Sequence, residues 1–112
     1  GSYVVVSDLR LKKDIKTIGS VLPSLMQLQP KTYHYNDNES NAPLSYGFIA
    51  QEVEKLYPDF VTTKGIDSMK AVAYQNFSVI AIKGIQEQQQ QIELLKEELK
   101  LMKKEIAELK QK

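Results

Sequence analysis

From Ile85 to Lys112 the chain contains neither Pro nor Gly, and its apolar residues recur with the coiled-coil period of about 3.5. Placing Ile85, Ile92, Leu99 and Ile106 at position a puts Gln88, Leu95, Met102 and Leu109 at position d. Glu98 and Glu105 then fall at g, while Lys96, Lys103 and Lys110 fall at e. In a parallel arrangement Glu98 reaches Lys103 of a neighbouring copy, and Glu105 reaches Lys110. A chain that ends this way folds as a body on a long helix that associates with copies of itself. After Tyr74 there is no Pro and Gly84 is the one Gly, so the helix is expected from Gln75 to the end, roughly 55 Å at 1.5 Å per residue. Mostly Ile at a with Leu at d leans toward two strands. Leu94 and Leu101 at position c widen the stripe beyond a two-chain seam, and Gln88 within the run Gln86 to Gln91 weakens the first heptad. The seam therefore leaves the copy number open. The same extra leucines would also serve a helix folding back on its own domain.

With 112 residues in all, roughly 75 remain for the body, which is a thin core that gains stability by burying surface against other copies. Fifteen basic and 14 acidic residues give a net charge of +1, too weak a field to attract nucleic acid or an anionic membrane surface. The absence of Cys removes disulfides, thiolate metal sites and cysteine nucleophiles, and a single His does not build a usual metal cluster. No cofactor and no metal is expected. No apolar run approaches a membrane span. Gly1-Ser2 reads as an expression-tag scar in front of a segment excised from a longer chain.

Short elements are expected along the body, giving an α+β fold with a β-hairpin and short helices ahead of the long one. Tyr3 to Val6 is β-branched or aromatic and predicts an extended strand, whereas Ser7 to Ile18 keeps no clean period. Ser20 is placed to cap a helix over Val21 to Leu28, with Pro23 in its first turn and Pro30 as its stop. Lys31 to Tyr35 and Tyr46 to Ile49 read as strands around a polar loop. Ala50 to Tyr57 reads as a helix closed by Pro58. Phe60 to Thr63 and Met69 to Tyr74 read as a hairpin joined by Gly65-Ile66-Asp67-Ser68.

Chemistry enters at Ser7 and Lys12. A neutral lysine can take the proton of a serine hydroxyl, which makes the pair sufficient to cut a peptide bond. An ordinary lysine near pKa 10.4 is neutral in only about one molecule in 2,500 at pH 7, so such a base requires burial among apolar neighbours. Lys12 lies beside Leu11 and near Ile15, with Lys13 adjacent to disfavour its charge. Taken alone, a Ser and a Lys five residues apart are more often a loop serine beside a solvated lysine. Asp8 reads equally well as a turn residue, and His34 between two tyrosines reads as packing or as a donor to an oxyanion.

Several blocks taken together shift that balance. They are Ser7-Asp8-Leu9-Arg10-Leu11-Lys12-Lys13-Asp14-Ile15, Leu28-Gln29-Pro30-Lys31-Thr32-Tyr33, and Tyr46-Gly47-Phe48-Ile49-Ala50-Gln51-Glu52-Val53-Glu54 with Pro58 and Val61, followed by Val72-Ala73-Tyr74 and Ala81-Ile82-Lys83. In combination the chain resembles the intramolecular chaperone auto-processing domain that ends phage tail fibres and endosialidase tailspikes, with a relative inside the myelin regulatory factor. The resemblance implies a parallel homotrimer that assists assembly of an upstream fibre or tailspike domain of the same polypeptide and then cuts itself free. It implies Ser7 as nucleophile, Lys12 as general base and Val6–Ser7 as the scissile bond; Asp8, Lys13 and His34 are placed in support by the reading of the residues themselves. Gln51 and Glu52 match the family motif as structural or interface residues. Residues and resemblance together divide the chain into a tag scar at 1–2, an upstream remnant at 3–6, the auto-processing body at 7–74 and the coiled-coil helix at 75–112. The setting the resemblance implies is a virion component assembled in the host cytoplasm, or a bacterial fibre or surface protein. Two other readings share these features: a structural trimerisation module that is never cut, and a cleavable module of a membrane-tethered transcription factor.

Overall fold

The structure, a computed structural model, describes residues 4–111. Its secondary structure starts late, because Val4 to Ser20 form no strand and no α-helix, and every one of these residues is exposed. The strand expected at the amino terminus is therefore not formed over Val4 to Val6, and Tyr3 lies outside the described residues. Among the described residues no strand neighbours Val4, Val5 and Val6 to supply backbone partners, and a ladder needs such a partner.

Helix α1 (Leu22–Leu25) is one turn, shorter than the expected 21–28. Leu25 N and Met26 N donate to Val21 O and Leu22 O at 2.9 Å, but Gln27 N and Leu28 N fall back to carbonyls three residues earlier. The turn tightens in this way ahead of Pro30, which disfavours helical backbone at Gln29. Ser20 does not cap it. Instead the Ser20 hydroxyl donates to Glu87 at 2.7 Å and Val21 N donates to the other carboxylate oxygen at 2.5 Å.

Strands β1 (Lys31–Tyr33) and β2 (Ser45–Gly47) pair antiparallel, with Lys31 opposite Gly47 and Tyr33 opposite Ser45. Helix α2 (Ala50–Leu56) follows, and Pro58 ends it by holding Tyr57 in a non-helical conformation. Strands β3 (Val61–Lys64) and β4 (Met69–Val72) form the second antiparallel hairpin, in the register Val61 to Val72 through Lys64 to Met69. Both hairpins are tied to α2: Lys31 Nζ lies 2.9 Å from Glu52 Oε2, and Lys70 Nζ lies 3.0 Å from Glu54 Oε2. Between them sits Val53, whose side chain is fully buried.

Helix α3 (Gln75–Lys110) leaves the body after two residues, Ala73 and Tyr74, and runs for 36 residues. Its first turn is anchored by Phe77, whose ring stands 5.1 Å from Phe48 and Phe60 and 5.8 Å from Tyr57. Ile80 and Gly84 are buried on the same face, where α1 packs. Gly84 permits this contact, since a Cβ there would come within 2.5 Å of Leu25 Cδ1. Phe77, Ile80, Gly84 and Glu87 are spaced three, four and three residues apart, so one helical stripe faces the body.

Beyond that stripe α3 stands free. Ile92, Leu94, Leu95, Leu99, Leu101, Met102, Ile106 and Leu109 are all exposed, so the helix does not fold back on its own domain. Among the described residues the buried hydrophobic ones are Val21, Leu22, Val53 and Ile80, a core no larger than the length predicts. The observed fold class is α+β: short antiparallel strand pairs and short helices ahead of one long carboxy-terminal helix.

Candidate active site

The segment around Ser7 makes its own structure. Asp8 is extended (φ −65°, ψ 134°) and caps a 3-10 turn over Leu9–Leu11. Leu11 N donates to Asp8 O at 3.1 Å, and Lys12 N donates to Leu9 O at 3.2 Å. The Asp8 carboxylate accepts from Arg10 three times, at 2.8 Å from its backbone N, 3.1 Å from Nε and 3.0 Å from Nη2. These donors, the Arg10 side chain first, hold the Asp8 carboxyl below the usual carboxylate range and raise Arg10 in turn. After the turn Lys12 is extended again, and Asp14 adopts a left-handed conformation (φ 55°) that redirects the chain.

The turn brings the lysine back to the serine, and Lys12 Nζ donates to Ser7 Oγ at 2.5 Å. Both side chains are exposed, and so are Leu9 and Leu11 beside them, at 73% and 74%. Val6, immediately before the serine, is exposed and belongs to no regular secondary structure.

The other expected participants lie apart from this contact. Lys13 makes no hydrogen bond or ion pair among the described residues. His34, just after β1, places Nε2 2.9 Å from the carbonyl of Ala42, so that nitrogen carries the proton and donates to the loop of the first hairpin. Glu52 holds Lys31, and Gln51 lines an open groove of about 630 Å³ with Tyr33, His34, Tyr35, Lys70 and Tyr74. In that groove Tyr33 is pushed up to about 12, first by the neighbouring Tyr35 and then by burial and Tyr74. Its hydroxyl therefore stays protonated at any ordinary pH. Sequence reasoning gave Arg10 no role and missed Glu87. Arg10 had a readable signal in the Asp-x-Arg spacing, whereas Glu87 had none, because its partners lie 66 and 67 residues away.

Among the described residues no three His, Asp or Glu side chains gather as a metal site, and no helix is long and apolar enough to cross a membrane. Residues 7–62 match the model of a peptidase family, and the match begins at Ser7 and takes in β1, β2 and α2. The description of that family is chaperone of endosialidase, and with half its length inside the match the chain belongs to it. No curated protein matches the chain.

Proposed function

We propose that the chain is an intramolecular chaperone that assembles as a parallel homotrimer through α3, assists folding of an upstream fibre or tailspike domain of its own polypeptide, and then releases itself by cutting Val6–Ser7. The contact that carries this reading is Lys12 Nζ at 2.5 Å from Ser7 Oγ, at the residue where the family match begins.

The chemistry follows from the position of the nucleophile beside its own scissile bond. Assembly that covers Leu9 and Leu11 also takes water from Lys12, and desolvation favours the neutral amine. Neutral Nζ accepts the Ser7 Oγ proton as Oγ bonds to the Val6 carbonyl carbon. The tetrahedral adduct collapses by breaking the carbon–nitrogen bond, and the Ser7 nitrogen leaves with the proton held by Lys12. The product is an ester between Val6 and Ser7 Oγ. Water attacks that ester with Lys12 again as base, leaving a Val6 carboxylate, a free Ser7 hydroxyl and a new amino terminus at Ser7.

The test joins the chain to its native upstream sequence and follows intact mass. A fragment beginning at Ser7 is expected from wild type and absent from Ser7→Ala and Lys12→Ala. Hydroxylamine, by capturing the ester, should leave a hydroxamate on Val6. An uncut wild-type trimer, or equal cutting of Ser7→Ala, overturns the proteolytic step. The exposure of Ser7 and Lys12 in the single chain favours a second reading, a trimerisation module that is never cut, and an uncut trimer is its expected outcome.

A further inference from the structure

Fully extended, residues 7 and 12 would stand roughly 17 Å apart, at about 3.3–3.6 Å per residue. An odd separation of five would also send their side chains to opposite faces of the strand. The observed contact therefore depends on the turn between them. That turn contains no Gly and no Pro, buries nothing, and is closed by the two backbone bonds at Leu11 and Lys12 and by the Asp8 carboxylate.

We propose that Asp8 and Arg10 are positioning residues for the Ser7–Lys12 pair: the Asp8 carboxylate, held square by the Arg10 guanidinium, closes the 3-10 turn that places the lysine amine on the serine hydroxyl. Asp8 Oδ1 accepts the Arg10 backbone N–H at 2.8 Å, which fixes the first residues of the turn. The guanidinium spans both carboxylate oxygens at 3.1 and 3.0 Å, the two-point geometry that keeps a carboxylate from rotating away. The Arg10 side chain is 87% exposed, so its work is local and not part of the core. An ion pair this open adds little to folding stability, and its effect falls on the distance between nucleophile and base. The carboxylate is committed to Arg10, with no hydrogen bond to Lys12, which separates this role from that of a proton carrier.

This inference rests on the self-cutting reading, and the experiment keeps the two separable. In the full chain with its upstream domain, Asp8→Ala should slow release of the Ser7 fragment on the order of 100-fold, the scale of a misplaced catalytic group. Asp8→Asn and Asp8→Ser retain an oxygen acceptor at the cap and should recover to within about tenfold of wild type. Arg10→Gln should fall between, with oligomeric mass and melting temperature unchanged in all four. Wild-type cutting by Asp8→Ala, or Asn and Ser variants as slow as Ala, overturns the proposal. Nuclear relaxation of the Lys12 ε-methylene in the same assembled chain gives a readout independent of cutting: ordered in wild type, mobile in Asp8→Ala. If wild type is uncut yet Asp8→Ala frees Lys12, positioning stands and proteolysis fails; equal mobility in both overturns positioning.

Discussion

At Gly47 a single added methyl group would meet two tyrosine hydroxyls, one of which has to move. A Cβ there would stand 2.5 Å from the Tyr74 hydroxyl and 3.0 Å from that of Tyr33. The Tyr74 hydroxyl accepts from Phe48 N at 3.0 Å and points its proton at Phe48 O, 3.4 Å away, so displacing it unpairs the backbone beside β2. Gly47→Ala is therefore expected to cost about 1–3 kcal/mol, read as a fall in thermal midpoint, while Tyr74→Phe at an intact Gly47 costs less. A midpoint unchanged in Gly47→Ala would show that Tyr74 yields freely. These residue-scale contacts also show what a sequence displays. Ser7 and Lys12 were singled out by the family blocks around them and not by their spacing, and in the structure one turn brings their side chains together. The Gly47 to Tyr74 contact was not legible, since nothing in a tyrosine 27 residues downstream announces which glycine its hydroxyl will cover.

Among the elements, α3 carries two stripes, and only one of them meets the body of its own chain. The stripe of Phe77, Ile80, Gly84 and Glu87 is used within the chain, whereas the a and d positions Ile85 to Leu109 remain open. The heptad pattern was readable because apolar spacing reports directly on a helix face. Glu87 carried no such signal, and the cap expected from Ser20 is supplied from another element. Its carboxyl is held below the usual range by the Ser20 hydroxyl first, then the Val21 amide, with Lys83 adding to them. A depressed carboxyl contributes fully above its unfolded value near 4.5 and loses that contribution as pH falls through the lower folded value. Protection of the Val21 amide against hydrogen exchange should follow this course, complete at neutral pH and fading below about 4.5. Glu87→Gln keeps an acceptor without a titrating proton and should flatten the dependence. The same acid loss in Glu87→Gln would assign it to another group.

At the scale of the molecule the exposed surface is 10075 Å², against roughly 6,300 Å² for a compact monomer of this mass. The Cα radius of gyration is 21.7 Å, where a compact chain of this length has about 13 Å. The excess surface of this one chain, roughly 3,800 Å², is well above the roughly 800 Å² that each partner of a standard interface covers. Leu99→Asp, in the middle of the open seam, should reduce the mass measured by sedimentation from trimer to monomer. It should also lower helix content, because an isolated helix has only its own weak propensity to hold it. Unchanged mass in Leu99→Asp, or a monomeric wild type, would remove the seam as the association surface. The manner of attachment between body and helix has a mechanical corollary. Phe77 and Glu87 fix α3 to the body at two places about 15 Å apart along its axis, and only Ala73 and Tyr74 separate it from β4. A part mounted at two points does not swivel, so any rotation of the helix about its long axis is delivered to the body as torque.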